Sequence, residues 1–406
     1  MNDKSPMSWD DACYLDADAF FQSQFPLCFT YDDVSLGTRY SEILPKEASL
    51  ELNLADRLKL HLPIISSDMD TVTEAPMAIA MALEGGMGII HSNMTLERQV
   101  EEVGLVKSYF EGLSAADKDR FPQASKDEKG RLVCGVSLLL KRKADASLDK
   151  TAILDQAAAL QDAGADCIGI STAHGHSLGV GQALKCLREA FPSLLLLAGN
   201  VTSQAGVDYL IECGANSIKV GQGPGSICTT RIVAGVGTPQ LTALYLARKA
   251  LKGRPVTLLA DGGINKSGDM VKALTLADGV MCGSLFAGCE EAPGGTIEIN
   301  GKLYKEYRGM GSYKSMAQGS ASRYGHQALE QASSAHLQKR TAEGVEALKP
   351  YCGPLRDVLA KLAGGIQAGM GYVGAKDLPS LRQKARYVRV SPAGQREAGV
   401  HDVFIP

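Results

Sequence analysis

Several things are missing from this chain, and each absence narrows what it can be. No apolar run approaches the roughly 20 residues that a spanning helix needs, so a membrane-crossing helix is not expected. Neither charge dominates. Against 42 Lys and Arg stand 45 Asp and Glu, a formal net charge of −3, too even for a polybasic surface that would hold nucleic acid or lipid. The N-terminal MNDKSPMSWDDACYLDADAFF carries acids where a signal peptide has a basic start and an apolar core. The ten cysteines show no paired metal-ligand spacing, which favours a reducing cytoplasm over a disulfide framework. Solenoid-period repeats and low-complexity tracts are absent too. So is a GxGxxG fingerprint near Pro63–Glu74, where a doubly wound dinucleotide fold would place it after the first strand.

What the chain does have is glycine, 44 of them, many just after apolar runs. The apolar runs are short and recur eight times: Pro63–Ser67, Met87–His91, Leu132–Leu139, Cys167–Ser171, Leu194–Ala198, Ser217–Gly221, Val256–Ala260 and Gly279–Gly283. Helical patterns follow most of them: Pro76–Leu83, Leu96–Phe110, Thr151–Ala163, Gly181–Ala190, Ala205–Cys213, Gln240–Lys252 and Gly268–Leu276. Near-continuous apolar strands alternating with helices imply a parallel sheet covered on its faces. Eight such units predict an α/β fold, a (β/α)8 TIM barrel. An open doubly wound sheet is the alternative. The expected domain is single, 1–406. A polar linker, Ser114–Lys129, interrupts the pattern after the second helix. A long excursion, residues 294–349, separates the eighth strand from a last helix at Leu355–Gln367. Structureless loops of that length are usually lids or disordered.

The most pointed chemistry is Gly221–Thr230, GQGPGSICTT, just after the sixth strand. It puts Cys228 on a glycine-rich turn whose backbone groups can face a ligand. A small buried apolar role describes most free cysteines and is expected of the other nine. Cys228 is the candidate nucleophile, and its thiol needs activation because a free thiol is only slightly ionised at neutral pH. In a barrel, chemistry sits at the C-terminal strand ends. The segments expected there are Ser66–Glu74, His91–Met94, Ala173–His176, Ala198–Asn200, the Cys228 loop, Asp261–Ile264 and Cys282–Ser284. Gly262, Gly263, Gly283 and Ser284 end the last two strands, where barrels commonly bind phosphate.

These segments resemble the IMP dehydrogenase and GMP reductase superfamily, and most of all its dehydrogenases. The likeness runs from about Phe29 to Asp402 through Phe29–Val34, Met69–Glu74, Gly223–Thr230, Ala260–Ile264, Tyr307–Ser312 and Gly399–Asp402. Relatives usually insert a pair of regulatory CBS modules where only Ser114–Lys129 stands here, so the resemblance implies a version without them. It implies oxidation of IMP to XMP with NAD, in guanine nucleotide biosynthesis. Cys228 would attack C2 of the purine, and the resulting thioimidate would be hydrolysed with help from Arg323 and Tyr324, on a flap that replaces the departing cofactor. Thr230 joins this catalytic group. Ser67, Ser226, Gly263, Gly283, Ser284 and Tyr307 would hold the phosphate, and Asp261 the ribose. Met310, Gly311 and Glu343 would read the purine edge. Met69, Asn200 and Lys219 would lie near the ligand. Ser171, Thr172, Gly221 and Gly223 are the implied cofactor contacts. A potassium ion would sit on carbonyls of Gly223, Gly225 and Cys228, completed by Glu397, Ala398 and Gly399 of a neighbouring subunit in a homotetramer.

One position departs from the family pattern. After the fourth strand, relatives usually carry an Asp that holds the nicotinamide ribose, where this chain has Ser171. Asp68, where relatives have a small residue or proline, is a candidate to compensate. Three other readings stay open from sequence: a GMP reductase using NADPH, an FMN-dependent barrel oxidoreductase, and a purine-nucleotide sensor without turnover.

Overall fold

The computed structural model describes residues 28–143, 145, 147–324, 341–400, 402 and 403. Cys13, residues 325–340 of the long excursion and His401 lie outside the described residues. Eight parallel strands close into a barrel: β1 Ile64–Ser66, β2 Met87–Ile90, β3 Cys134–Leu138, β4 Cys167–Ser171, β5 Leu195–Val201, β6 Ser217–Val220, β7 Thr257–Asp261 and β8 Gly279–Cys282. Each pairs with its sequence neighbours, and β8 returns to β1 through Val280–Ile64 and Cys282–Ser66. Nearly every strand residue is buried, which explains why the strands read as unbroken apolar runs rather than as alternation.

Eight helices cover the barrel: α1 Ala75–Leu83, α2 Leu96–Tyr109, α3 Lys150–Asp162, α4 Leu178–Ala190, α5 Gln204–Glu212, α6 Gln240–Leu251, α7 Ser267–Leu274 and α8 Leu355–Val373. Local chemistry sets several starts. Thr95 accepts from the Arg98 amide ahead of α2, and Ser203 from the Gly206 amide ahead of α5, each satisfying a helix-end donor. α8 runs six residues past its expected end at Gln367 and stops at Gly374 in the left-handed conformation, and it is not the last helix, since the short helices Leu378–Lys384 and Pro392–Glu397 follow it.

One device recurs at the N-terminal end of the barrel. Asp166, Asn216 and Asp278 stand just before β4, β6 and β8, and each side chain accepts the amide of a residue in the preceding strand: Cys134, Leu196 and Leu258. A basic side chain grips each acceptor: Lys107, Arg188 and Arg248. A hairpin, Leu52–Leu54 with Leu58–Leu60, closes the same end, the Ala55 amide donating to Thr257 Oγ1 at the start of β7.

Two stretches differ from their sequence reading. The Ser114–Lys129 linker is ordered against the barrel. Ser114 caps a short helix, Ala115–Lys118, and Ser125 bonds to the Ala82 and Gly85 carbonyls. The long excursion folds in large part. Strands β9 Thr296–Ile299, β10 Lys302–Arg308 and β11 Glu346–Pro350 form an antiparallel sheet, with helix Tyr313–Ala317 and a 3₁₀ turn, Ser320–Tyr324, between β10 and β11. Long-range pairing of β10 with β11, as Arg308 with Glu346, is invisible to a local periodicity test. Among the described residues no helix is long and apolar enough to cross a membrane.

Candidate active site

The C-terminal strand ends open into one cleft of about 910 Å³, mouth included. Residues singled out from sequence line it: Ser67, Asp68, Met69, Asn200, Gly221, Gly223, Gly225, Ser226, Cys228, Asp261, Gly262, Gly263, Gly283, Ser284, Tyr307, Met310, Arg323, Tyr324 and Glu343. They come from β1, β5, β6, β7, β8 and the excursion.

The thiol loop is pinned from the flap side. The Thr229 amide donates to the Glu343 carbonyl at 3.1 Å and the Val345 amide to the Ile227 carbonyl at 3.0 Å, so Cys228 bridges to Gly344. Thr230 Oγ1 lies 3.2 Å from Cys228 Sγ. Cys228 is half-buried in the cleft, whereas Cys134, Cys167 and Cys282 lie buried in strands. Burial pushes the Cys134 thiol up to about 12, and pushes Cys167 and Cys282 further in the same direction, so none of these three is a nucleophile near neutral pH.

Polar groups also converge around Gly283. A Cβ there would stand 2.9 Å from Ser67 Oγ and from Met69 Sδ and 3.2 Å from the Tyr307 hydroxyl, so only a glycine lets these groups close in on its backbone. Ser67 Oγ is buried and has no hydrogen-bond partner among the described residues. Such orphans are rare without a ligand or water. Burial pushes the Tyr307 phenol up to about 12, against a hydrogen bond from Ser226 that lowers it, so it stays a neutral donor. Lys349 of β11 donates to Ser284 Oγ at 2.9 Å. Sequence reading missed this lysine because a long-range sheet brings it there.

In the same cleft, Asn200 Nδ2 donates to the Gly221 carbonyl at 2.8 Å and to Asp261 Oδ2 at 2.7 Å. That holds one Asp261 oxygen and leaves the other for a diol. Gly311 does not line the cleft but permits it, since a Cβ there would meet the Tyr324 ring at 2.7 Å. Desolvation pushes the Tyr324 phenol well above its usual range, the charge of Arg323 opposing.

The cofactor positions come out differently. Ser171 is buried at the end of β4 and its hydroxyl accepts from Lys219 Nζ. It does not line the cleft. The Thr172 hydroxyl donates to the Gly199 carbonyl at 3.0 Å. On the other face of Lys219 stands Asp68, at 3.1 Å, with Asp261 at 3.7 Å. Lys219 thus joins Ser171 at the end of β4 to Asp68 in the loop after β1. Burial works against the Asp68 carboxylate, yet Arg323 and Lys219 together hold it well below the usual carboxylate range. Glu397, Ala398 and Gly399 are exposed at the C-terminal end of the helix Pro392–Glu397 and are not part of the cleft lining.

Residues 28–401 match the family model described as IMP dehydrogenase / GMP reductase domain. The chain is 42% identical to the inosine-5'-monophosphate dehydrogenase of Borreliella burgdorferi over 406 aligned positions, covering 92% of this chain and 97% of that protein. It is 38% identical to that of Aquifex aeolicus over 485 positions, 93% of this chain and 96% of that one. For the Halalkalibacterium halodurans protein the figures are 37% over 482 positions, 93% and 96%. The last two alignments exceed the 406 residues of this chain, so those relatives carry inserted sequence that it lacks.

Proposed function

The chain belongs to the IMP dehydrogenase / GMP reductase family, and from that footing we propose that it is an NAD-dependent IMP dehydrogenase that makes XMP through a covalent adduct on Cys228. One observation carries the reading: a loop thiol, a set of serine and tyrosine hydroxyls and the Arg323–Tyr324 pair share a single cleft.

The cleft wall around Gly283 suits a phosphate, which would take donors from Ser67, Ser226, Ser284, Tyr307 and the Gly263 and Gly283 backbone. Asp261, oriented by Asn200, would accept the ribose hydroxyls. Met310 and Glu343 would border the purine beside Met69. Cys228 Sγ, with Thr230 Oγ1 beside it, would then attack C2. NAD, when bound, supplies the hydride acceptor. Gly221, Gly223 and Thr172 are its candidate contacts. The Ser171 hydroxyl is committed to Lys219 and is left out of that set. Arg323 and Tyr324 would orient the water that cleaves the thioimidate. A guanidinium is an unusual base because its ordinary pKa exceeds ~12.

Carbonyls of Gly223, Gly225 and Cys228 are suitable donors for potassium, which protein carbonyls bind in place of its hydration shell. The Gly225 carbonyl already accepts the Cys228 amide at 3.2 Å and keeps a second lone pair. Glu397, Ala398 and Gly399 would complete the site only from a second copy, which is consistent with the homotetramer proposed for the cytoplasmic enzyme.

Purified protein given IMP and NAD should produce NADH, and neither substrate alone should do so. NADPH oxidation with GMP, and no NADH from IMP, would assign the chain to the reductase side of the family.

A further inference from the structure

Asp68 is a carboxylate only 2% exposed, and it belongs to neither the substrate contacts nor the catalytic group described above. Its environment is built from three parts of the chain. From β6, Lys219 Nζ reaches Oδ1 at 3.1 Å. Lys219 is itself one of the largest fully buried side chains and also touches Ser171 of β4. From the flap, Arg323 Nη1 comes to 3.1 Å from Asp68 Oδ2. The same Nη1 donates its hydrogen bond to the Asp68 backbone carbonyl at 3.0 Å, so Asp68 holds the guanidinium with both side chain and backbone. The Arg323 carbonyl in turn accepts the Ala173 amide at 3.1 Å, from the loop after β4.

We propose that Asp68 is the positioning residue for Arg323: a buried carboxylate, anchored to the barrel floor by Lys219, that docks the Ser320–Tyr324 turn of the flap over the cleft. The proposal rests on the reading of Arg323 and Tyr324 as the hydrolytic pair, and it adds what holds them there. The physical case is one of desolvation. A charge buried to this extent needs opposite charge and hydrogen bonds around it. Lys219 supplies one cation permanently from a strand, and Arg323 supplies the second only while the turn is seated. Docking the turn is therefore coupled to neutralising Asp68. Ser171 completes the floor by occupying Lys219 without adding a second negative charge. Asp68 would not touch the reacting atoms. It would act through Arg323.

The test uses the full chain with IMP and NAD, read as a pre-steady-state NADH burst followed by steady turnover. Asp68→Asn keeps the shape and removes the charge. It should leave a burst near one per active site and shift KM for IMP by less than about threefold, while slowing post-burst turnover roughly 10- to 100-fold, the scale of a catalytic group displaced by about 1 Å. In an Arg323→Gln background the same substitution should change turnover by less than about twofold, because a residue acting through another adds nothing once that one is gone. Hydrogen–deuterium exchange of the Ser320–Tyr324 peptide should rise equally in Asp68→Asn, Arg323→Gln and the double variant.

Multiplying effects of the two substitutions on turnover, or unchanged exchange in Asp68→Asn, would overturn the proposal. If Arg323→Gln leaves turnover intact, the hydrolytic reading falls and exchange alone decides the clamp, unchanged exchange sinking it. Should Asp68→Asn fail to fold, Arg323→Gln leaves the Lys219 pair whole, and unchanged exchange in that variant overturns the clamp.

Discussion

Arg308 of β10 and Asp70, 238 residues apart in sequence, form a buried ion pair: Nη2 and Nε approach the carboxylate at 3.0 and 3.2 Å. Asn93 Nδ2 and Ser315 Oγ donate to the same Asp70 oxygen at 2.7 and 3.0 Å. The loop after β1, the loop after β2 and the helix of the flap thus meet on one carboxylate. Tyr307, the preceding residue of β10, lines the cleft beside Gly283. Adjacent strand residues face opposite ways, so the ion pair on one side of β10 sets the hydroxyl on the other.

Asp70→Asn should therefore act on substrate binding as well as on stability. Removing one partner of a buried pair typically costs roughly 3–5 kcal/mol. The expected outcome is a lower midpoint of chemical unfolding together with a raised KM for IMP. A stability loss with an unchanged KM would show that the pair does not position Tyr307.

Cys228→Ala should abolish NADH formation, because a methyl group cannot form the adduct. IMP affinity, measured by calorimetry, should stay within about tenfold, or ~1.4 kcal/mol, since the hydroxyls around Gly283 and the Asp261 carboxylate remain. An IMP-derived mass found on another cysteine of the unaltered protein would contradict this assignment.

Two substitutions probe the phosphate end. Gly283→Ala puts a methyl group 2.9 Å from both Ser67 Oγ and Met69 Sδ, so the cleft wall there must shift. It should raise KM for IMP roughly ten- to a hundredfold, or ~1.4–2.8 kcal/mol. Lys349→Met removes the ammonium beside Ser284 and should raise the same KM by less, roughly five- to tenfold, or about 1–1.4 kcal/mol. It should also weaken the salt dependence of IMP binding. Inosine without its phosphate should be indifferent to Lys349→Met. A matching loss for inosine would place the lysine's effect elsewhere.

The Asp68 carboxylate makes a prediction in pH. Its folded-state value is depressed, so its stabilising contribution is fully present above the unfolded value near 3.9. It is lost as pH falls through the folded value, because the unfolded chain takes up the proton first. The stability difference between the unaltered protein and Asp68→Asn should hold steady from pH 7 to about 4. Below that it should shrink by roughly 1.4 kcal/mol per pH unit. Urea titrations from pH 6 to 3 would measure it. A difference that closes already between pH 7 and 5 would mean that the carboxylate is not depressed.

By itself the sequence determined the barrel and pointed to the cysteine loop. Eight buried parallel strands must read as apolar runs, because neither face meets water. Each helix between them must carry one apolar stripe, and both signals are local. Glycine crowding around a single cysteine is local too, so Gly221–Thr230 was legible as a ligand loop. Its matched motifs then named most of the cleft lining. Tertiary structure alone decided the partnerships. Nothing near Ser171 in sequence says that its hydroxyl turns to Lys219, 48 residues on. Nor does anything near Asp68 say that an arginine 255 residues away caps it. Lys349 reaches Ser284 only because β11 pairs with β10. Charge pairing in a closed barrel is set by which strand ends face one another across the axis. That depends on closure and register, and no window along the chain contains it.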